Sequence, residues 1–451
     1  MKLVYNVNEK PPIKKNLVYA FQQLLAIIAA TLLVPTLVNL YNDAGMPNVL
    51  NQPAALFGAG AGTLFYLLVT KFRSPAFLGS SFAFITPLCG AAVFGRLGIF
   101  LGAVFAGLVY VVIALVIKKT GSGWVNKLLP PVVIGPTVAL IGFSLCGSAV
   151  NNINNTASGS YNLVAILVGL VAFFATIYVS IKGGKGVRMI PFIIGIGVAY
   201  VFAAILTGVG AAFNCDMLKI IDFSPFKGIG LFEVPDFTFL SIFRGTTDAG
   251  GNSLAVRSFT DVLQIFILFA PVAFVVLAEH IADHKNLGSI IERDLITDPG
   301  LDRTLIGDGI GSIIGSFFGG CPNTTYGESV ACVALTGNAS WTTIALAAVY
   351  CIVLSFFKPF VAFVNTIPTC IVGGICIALY GFIAVSGLKM VQTVDLNDNR
   401  NLYTVCAILV PGIGGLTLNF GAITLTSIAT ALILGILVNQ IFGAKAAKET
   451  K

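Results

Sequence analysis

Long apolar segments alternate with short polar connections along almost the whole chain. A helix needs about 20 apolar residues to cross a bilayer, and most of these segments approach or exceed that length. The pattern predicts an all-α polytopic membrane protein with fourteen transmembrane segments, at residues 17–40, 54–70, 78–93, 97–117, 130–150, 162–181, 189–212, 262–283, 304–320, 326–338, 341–357, 364–387, 403–418 and 420–442.

Composition supports this interpretation and excludes a soluble enzyme. Of the 451 residues, 57% are hydrophobic and 10% are charged, with a mean hydropathy of +0.94, whereas soluble domains carry about 25% charged residues. No catalytic triad or His/Cys ligand set stands out, so we expect neither enzymatic activity nor a metal or cofactor. The net charge of +7 comes from basic residues at the ends of apolar segments. We therefore expect membrane lipid around the protein and no nucleic-acid partner.

The basic residues also predict an orientation. If both termini are cytoplasmic, 20 of the 26 Lys and Arg residues fall on the inner side of the membrane. Such an excess of positive charge is typical of cytoplasmic loops. The N-terminal segment opens polar and has no cleavage site of the signal-peptide type. The sequence thus predicts a multi-pass protein of the cell membrane with both termini in the cytoplasm.

One long polar insertion, residues 213–260, divides the chain into halves of seven segments, 1–212 and 261–451. The halves share a similar stretch, IGPTVALIGF at 134–143 and GGICIALYGF at 373–382. Because seven is odd, a duplicated half must insert with the opposite orientation, as in many secondary transporters. We predict a 7+7 inverted repeat joined by an external loop.

The third and tenth segments are too short for a full crossing and are flanked by small polar residues. Their sequences are GSSFAFITP at 79–87 and CPNTTYGES at 321–329. Non-helical backbone at membrane depth survives only where protein or an aqueous cavity satisfies its polar groups. The substrate site is therefore predicted to lie between these two broken segments.

Acidic residues inside apolar segments are the main candidates for chemistry. Glu279 and Glu328 lie well inside such segments, where an acidic side chain costs at least about 2.5 kcal/mol on insertion scales. A structural ion pair or a hydrogen-bonded glutamate between helices is the alternative, but the cores of the segments contain no Lys or Arg to serve as partner. Asp283 lies four residues after Glu279 and shares its helical face, so it is a candidate protonatable group.

The only two histidines, His280 and His284, lie near the predicted end of the eighth segment. His280 points about 100° away from Glu279 on a helix. We interpret both as interfacial residues beside Lys285, with a role for His284 in proton coupling as the alternative.

The tenth segment suggests the class of ligand. Pro322 lacks a backbone N–H, and Gly327 allows a ligand close to the backbone just before Glu328. Carboxylate acceptors beside backbone donors suit a neutral planar ligand with both N–H and C=O groups, such as a nucleobase. An anion would find no basic partner, and an inorganic cation typically needs more oxygen ligands. Phe82 and Tyr326 could stack on such a ring or serve in packing.

Four motifs together resemble the nucleobase-ascorbate transporter family, and within it the bacterial uracil permeases, over nearly the whole chain: LGSSFAFITP, AEHIADH, PNTTYGES and IPTCIVGGICIALYG. The resemblance implies fourteen spans in a 7+7 inverted repeat, with short antiparallel strands in the third and tenth. It also implies a core domain that holds the site and a gate domain that often mediates homodimers, each drawn from both repeats.

The resemblance further implies a function, import of uracil with a cation by alternating access, and residues for it. Glu279 would bond the pyrimidine, Gly327 and Phe82 would donate backbone N–H groups, Glu328 would accept from a ring N–H, and Ala30, Ser81 and Tyr326 would line the pocket. A glutamate after Tyr-Gly favours uracil over purines.

One departure from the family concerns the coupling ion. In proton-coupled relatives a histidine follows the first glutamate by four residues, whereas this chain has Asp283 there and His284 on the next face. Proton symport through Asp283, Glu279 and His284 is the leading expectation. Sodium coupling and a xanthine or other purine permease are the alternatives.

Overall fold

The computed structural model describes residues 3–41, 48–154, 161–184, 186–242, 246–248, 250–420 and 424–449, and most of these residues are helical. The helices of the first part are α1 Ile13–Tyr41, α2 Gln52–Val69, α3 Ile85–Ala92, α4 Gly95–Thr120, α5 Gly123–Leu128, α6 Pro131–Ser144, α7 Cys146–Asn154, α8 Leu163–Lys182, α9 Pro191–Ala212 and α10 Thr238–Ser241. Those of the second part are α11 Phe259–Ile291, α12 Leu301–Phe318, α13 Gly327–Thr336, α14 Trp341–Ser355, α15 Lys358–Asn365, α16 Thr369–Val391, α17 Asn399–Ile413 and α18 Ser427–Glu449.

The long helices are those of a multi-pass membrane protein. Among the described residues, eight helical stretches have at least 18 residues and are apolar enough to cross a membrane, when α6 and α7 are taken together as Pro131–Asn154. Each of the fourteen predicted segments contains a helix, although those within the third and tenth are short. Residues 421–423, at the start of the predicted fourteenth segment, lie outside the described part. The fourteen crossings and the inverted repeat stay predictions.

The chain forms two compact units. Unit 1 comprises Met1–Ile141, Pro235–Ile352 and Ala384–Lys451, and unit 2 comprises Gly142–Val234 and Val353–Ile383. Each unit draws on sequence from both sides of the predicted 213–260 loop, and the loop itself is divided after Val234. Residues 243–245 and 249 of this loop lie outside the described part. The repeat boundaries at 212 and 261 stay predictions.

Glycines allow three helices of unit 1 to pack backbone to backbone. A Cβ at Gly107 of α4 would lie 2.5 Å from the carbonyl oxygen of Gly309 in α12, and a Cβ at Gly58 of α2 would lie 2.6 Å from that of Gly315. Ordinary side chains cannot fit at such separations, so α12 is held closely between α2 and α4. This layer supports the strands described next.

Two short strands, β1 Leu78–Ser80 and β4 Asn323–Thr325, pair antiparallel at the segments predicted to be broken. The other two strand pairs are short hairpins, β2 Thr246–Thr247 with β3 Ser253–Leu254 and β5 Leu418–Asn419 with β6 Thr424–Leu425. The β1/β4 pair is entirely buried. The side-chain amide of Asn323 donates to the carbonyl oxygens of Gly58 and Gly311, each at 3.2 Å. A single 3-10 turn, Phe82–Phe84, joins β1 to α3, and α13 begins directly after Tyr326.

Candidate functional site

Helix α11 supplies the acidic face that the sequence predicts. It begins with a capping box between Ser258 and Asp261 and continues to Ile291, so Glu279 and Asp283 lie well inside it. The Thr325 hydroxyl at the end of β4 donates to Oδ2 of Asp283 at 2.9 Å. This bond fixes the acidic face of α11 against the strand pair.

An opening lies between α11 and the start of α13. Glu279, Asp283, Gly327 and Glu328 are each partly exposed, although the neighbouring Ala278, Thr325, Tyr326 and Ser329 are buried. A Cβ built on Gly327 would lie 3.7 Å from Oδ1 of Asp283, with no other heavy atom within 4 Å. Space therefore exists in front of Gly327, bordered by Asp283.

Three carboxyl groups and a helix N-terminus meet at this opening. Glu279 interacts electrostatically with both Asp283 and Glu328. Gly327 and Glu328 form the first turn of α13, where backbone N–H groups have no partner within the helix. The site thus offers acceptors and donors side by side. Across the described residues, no group of three or more His, Cys, Asp and Glu side chains is arranged to hold a metal ion.

The other predicted pocket residues lie in the same unit but are more deeply buried. Ala30, Ser81, Phe82 and Tyr326 are each at most 9% exposed. The Tyr326 hydroxyl donates to the carbonyl oxygen of Ser80 at 2.8 Å, and its ring covers Gly79, where an added methyl would overlap it. Tyr326 therefore packs against the strand pair.

The prediction that the histidines are interfacial is wrong. His280 and His284 are 0% and 1% exposed. Nδ1 of His280 is hydrogen-bonded to Oδ2 of Asp308 at 2.7 Å, and its Nε2 to the Thr304 hydroxyl at 3.0 Å. Because the Thr304 hydroxyl donates to the carbonyl oxygen of Leu301, it accepts from Nε2, and a single proton lies between His280 and Asp308.

His284 belongs to a second buried network. Its Nδ1 donates to the carbonyl oxygen of His280 at 2.8 Å, and its Nε2 is bonded to the Tyr66 hydroxyl at 2.7 Å. Tyr66 is also bonded to the Ser74 hydroxyl at 2.7 Å. The histidines are buried because α11 continues for almost two turns beyond His284 and packs mainly against α4, while Tyr66 of α2 and Asp308 of α12 contact the imidazoles. No local pattern in the sequence shows these contacts.

The sequence analysis also missed a contact beside Glu328. The buried Gln23 side chain of α1 donates to the hydroxyl of Ser329, which directly follows Glu328. Gln23 thereby fixes the first turn of α13 against α1. Two consecutive glutamines inside an apolar helix could have indicated this contact. Asp308, inside another apolar segment, could have indicated that the two histidines have a buried partner.

Comparison with known proteins adds sequence relatives and a shared fold. A sequence model described as a permease family matches residues 14–421. Uracil permeases of Bacillus caldolyticus, Bacillus subtilis (strain 168) and Escherichia coli (strain K12) are 38%, 35% and 31% identical to this chain, covering 98%, 94% and 97% of it and 95%, 91% and 93% of their own lengths.

Two solved structures share the fold at low sequence identity. The transmembrane domain of a cyanobacterial bicarbonate transporter, BicA, has a TM-score of 0.62 at 13% identity, covering 97% of this chain and 99% of that one. The murine anion transporter Slc26a9 in its inward-facing state has a TM-score of 0.59 at 13% identity, covering 97% and 69%. At these identities the likeness concerns the fold alone.

Proposed function

Because the chain belongs to the nucleobase-ascorbate transporter family of permeases, we propose that it is a secondary active importer of uracil by proton symport. The observation that carries this proposal is the opening at Gly327, where a helix N-terminus and three carboxyl groups surround free space. The uracil permeases that it resembles over nearly their full length support the choice of substrate.

The proposed mode of binding follows from the chemistry of uracil, a neutral ring with two N–H donors and two carbonyl acceptors. Glu328 accepts from one ring N–H, and the backbone N–H of Gly327 donates to the adjacent carbonyl. Glu279 of α11 forms a second hydrogen bond with uracil. The backbone N–H of Phe82, next to β1, donates a further one. Hydrogen bonds to charged groups contribute about 1.5–3 kcal/mol each, so we expect the ionised Glu328 to contribute strongly to recognition.

Proton coupling follows from the repulsion between carboxylates. Like charges at one site raise the free energy of the fully ionised state. Among the described residues, none of the ion pairs involves Glu279, Asp283 or Glu328. A proton on Asp283 or Glu279 relieves the repulsion and allows Glu328 to stay ionised as the uracil acceptor. Release of uracil on the other side of the membrane then favours release of the proton.

The proposal includes a location. The distribution of Lys and Arg supports insertion in the cell membrane with both termini in the cytoplasm, so that uptake proceeds toward the inner side. The family resemblance supports a homodimer.

Uptake of labelled uracil into proteoliposomes tests the function. We expect accumulation under an inward proton gradient in sodium-free buffer, its loss with a protonophore, and no competition by excess xanthine. Uptake only after sodium is added would identify sodium, rather than the proton, as the coupling ion. Strong competition by xanthine would indicate a purine permease, and no uracil uptake under any gradient would contradict the proposal.

A further inference from the structure

The N-terminal residues 3–9, called here the N-terminal strand, lie along the loop between α13 and α14. Val7 and Asn8 form a turn, in which the backbone N–H of Glu9 donates to the carbonyl oxygen of Asn6 at 3.1 Å. Tyr5 and Asn338 form a parallel bridge. Five hydrogen bonds attach the strand: Val4 N to Gly337 O at 2.7 Å, Tyr5 N to Gly337 O at 3.2 Å, Ala339 N to Tyr5 O at 2.9 Å, Trp341 N to Val7 O at 3.1 Å and Ser340 Oγ to Glu9 O at 2.6 Å. The strand is therefore an ordered part of unit 1.

The strand buries one side and exposes the other. Val7 is 3% exposed, whereas Asn6 and Asn8 on either side of it are exposed. Val7 belongs to an apolar cluster, called here the Val7 cluster, whose other buried members are Tyr66, Ala76, Leu78, Leu287, Ile291, Leu295, Val330, Val333 and Ala339. Val7 is therefore the buried residue of the strand within this cluster, and the partly buried Leu3 packs against the same cluster.

The Val7 cluster adjoins the substrate site on three elements. Leu78 is the first residue of β1, Val330 lies two residues after Glu328 in α13, and Leu287 lies one turn after Asp283 in α11. One wall of the opening is α13, and the other is α11. Any shift of α13 relative to α11 changes the separation of Glu328 and Asp283, and Val7 packs where the two helices meet.

We propose that the N-terminal strand is a positioning element of the substrate site, with Val7 holding α13 so that Glu328 keeps its place opposite Asp283. The inference rests on the proposed function, since its readout is uracil transport. Val7 contacts neither uracil nor the coupling ion. Loss of its packing lets α13 pivot about its contact with Gln23, which changes the direction of the Glu328 side chain and weakens substrate binding more than turnover.

Three variants test the proposal. Val7→Thr keeps the shape of the side chain but buries a hydroxyl, and Val7→Asp places a charge in the cluster. Asn6→Asp adds the same charge one residue earlier, on the exposed side, and is the matched control. Each variant is purified, its melting temperature is measured, and KM and Vmax for uracil are determined in proteoliposomes per mole of inserted protein.

We expect Val7→Thr to raise KM about three- to tenfold, which corresponds to about 0.7–1.4 kcal/mol, with Vmax within about twofold of the wild type. Asn6→Asp is expected to leave both constants and the melting temperature unchanged. A Val7→Thr protein with wild-type KM and a lower melting temperature would overturn the proposal, because the strand would then serve only stability. If Val7→Asp does not insert, Val7→Thr decides the question. Absence of uracil uptake by the wild type would instead refute the proposed function.

Discussion

Replacement of Gly327 by alanine separates substrate binding from stability. The new methyl would lie 3.7 Å from Oδ1 of Asp283, an ordinary van der Waals distance, with no other heavy atom within 4 Å. The φ angle of Gly327 is not among the positive values, so alanine fits the backbone. Because alanine exceeds glycine in helix propensity by up to about 1 kcal/mol, we expect the free energy of unfolding to stay equal or rise slightly.

We expect the affinity for uracil to fall in Gly327→Ala, although stability stays equal or rises. The methyl fills the space through which a ligand reaches the backbone N–H of Gly327, and loss of one hydrogen bond costs about 0.5–1.5 kcal/mol. Steric exclusion adds to this cost, so we predict an affinity for uracil at least about tenfold lower. Isothermal titration calorimetry on the purified protein measures the affinity, and thermal unfolding in the same detergent measures stability.

Two further glycines provide controls. Gly197 lies inside α9, and outside its own helix no heavy atom lies within 4 Å of an added Cβ. Gly197→Ala should therefore leave the affinity unchanged and, like Gly327→Ala, leave stability equal or slightly higher. At Gly79 the methyl would overlap the ring of Tyr326, so Gly79→Ala should lower the melting temperature. Wild-type affinity in Gly327→Ala would refute the placement of uracil at this opening, and a large loss of stability would refute the open space in front of Gly327.

Four other variants probe three of the surrounding residues. Asp283→Asn should abolish uracil accumulation driven by a proton gradient while leaving equilibrium binding within a fewfold of the wild type, and unchanged accumulation would remove Asp283 from coupling. Asp308→Leu should lower the free energy of unfolding by about 1–3 kcal/mol, because it leaves Nδ1 of the buried His280 unpaired. Asp308→Asn should lower it less. Equal losses for the two variants in denaturant titrations would contradict the bond between His280 and Asp308. Tyr326→Phe should lower the free energy of unfolding by about 0.5–1.5 kcal/mol, because its bond to Ser80 is lost, and should keep the affinity for uracil. A large rise in the dissociation constant with unchanged stability would show that the hydroxyl contacts substrate.

The location of the candidate site followed from local features of the sequence. Pro322 and Gly327 interrupt an apolar segment near Glu328, and such an interruption marks irregular backbone wherever it occurs. The four-residue spacing of Glu279 and Asp283 gave their common face, because a helix places such residues one above the other. Both features depend only on neighbouring residues.

The contacts that complete the site join residues far apart in the sequence. The pairing of Gly79 with Thr324 depends on how α2, α4 and α12 pack, which no local pattern specifies. His280 and His284 were misplaced for the same reason, since Lys285 suggested a membrane interface while Tyr66 and Asp308 bury the imidazoles. Gln23 bonds to Ser329 of α13, and Val7 shares a cluster with Val330 and Val333 of α13. Both lie near the beginning of the chain, so no local pattern predicts these contacts.

The central claim is that Glu328, at the start of α13, recognises a pyrimidine. Calorimetric titration of uracil and of xanthine into the wild type and Glu328→Gln tests it most directly. We predict that the wild type binds uracil and not xanthine. Glu328→Gln should bind uracil about five- to tenfold more weakly, because the neutral amide oxygen that replaces the carboxylate is a weaker acceptor by about 1–1.5 kcal/mol. Unchanged uracil affinity in Glu328→Gln, or a wild type that prefers xanthine, would contradict the account.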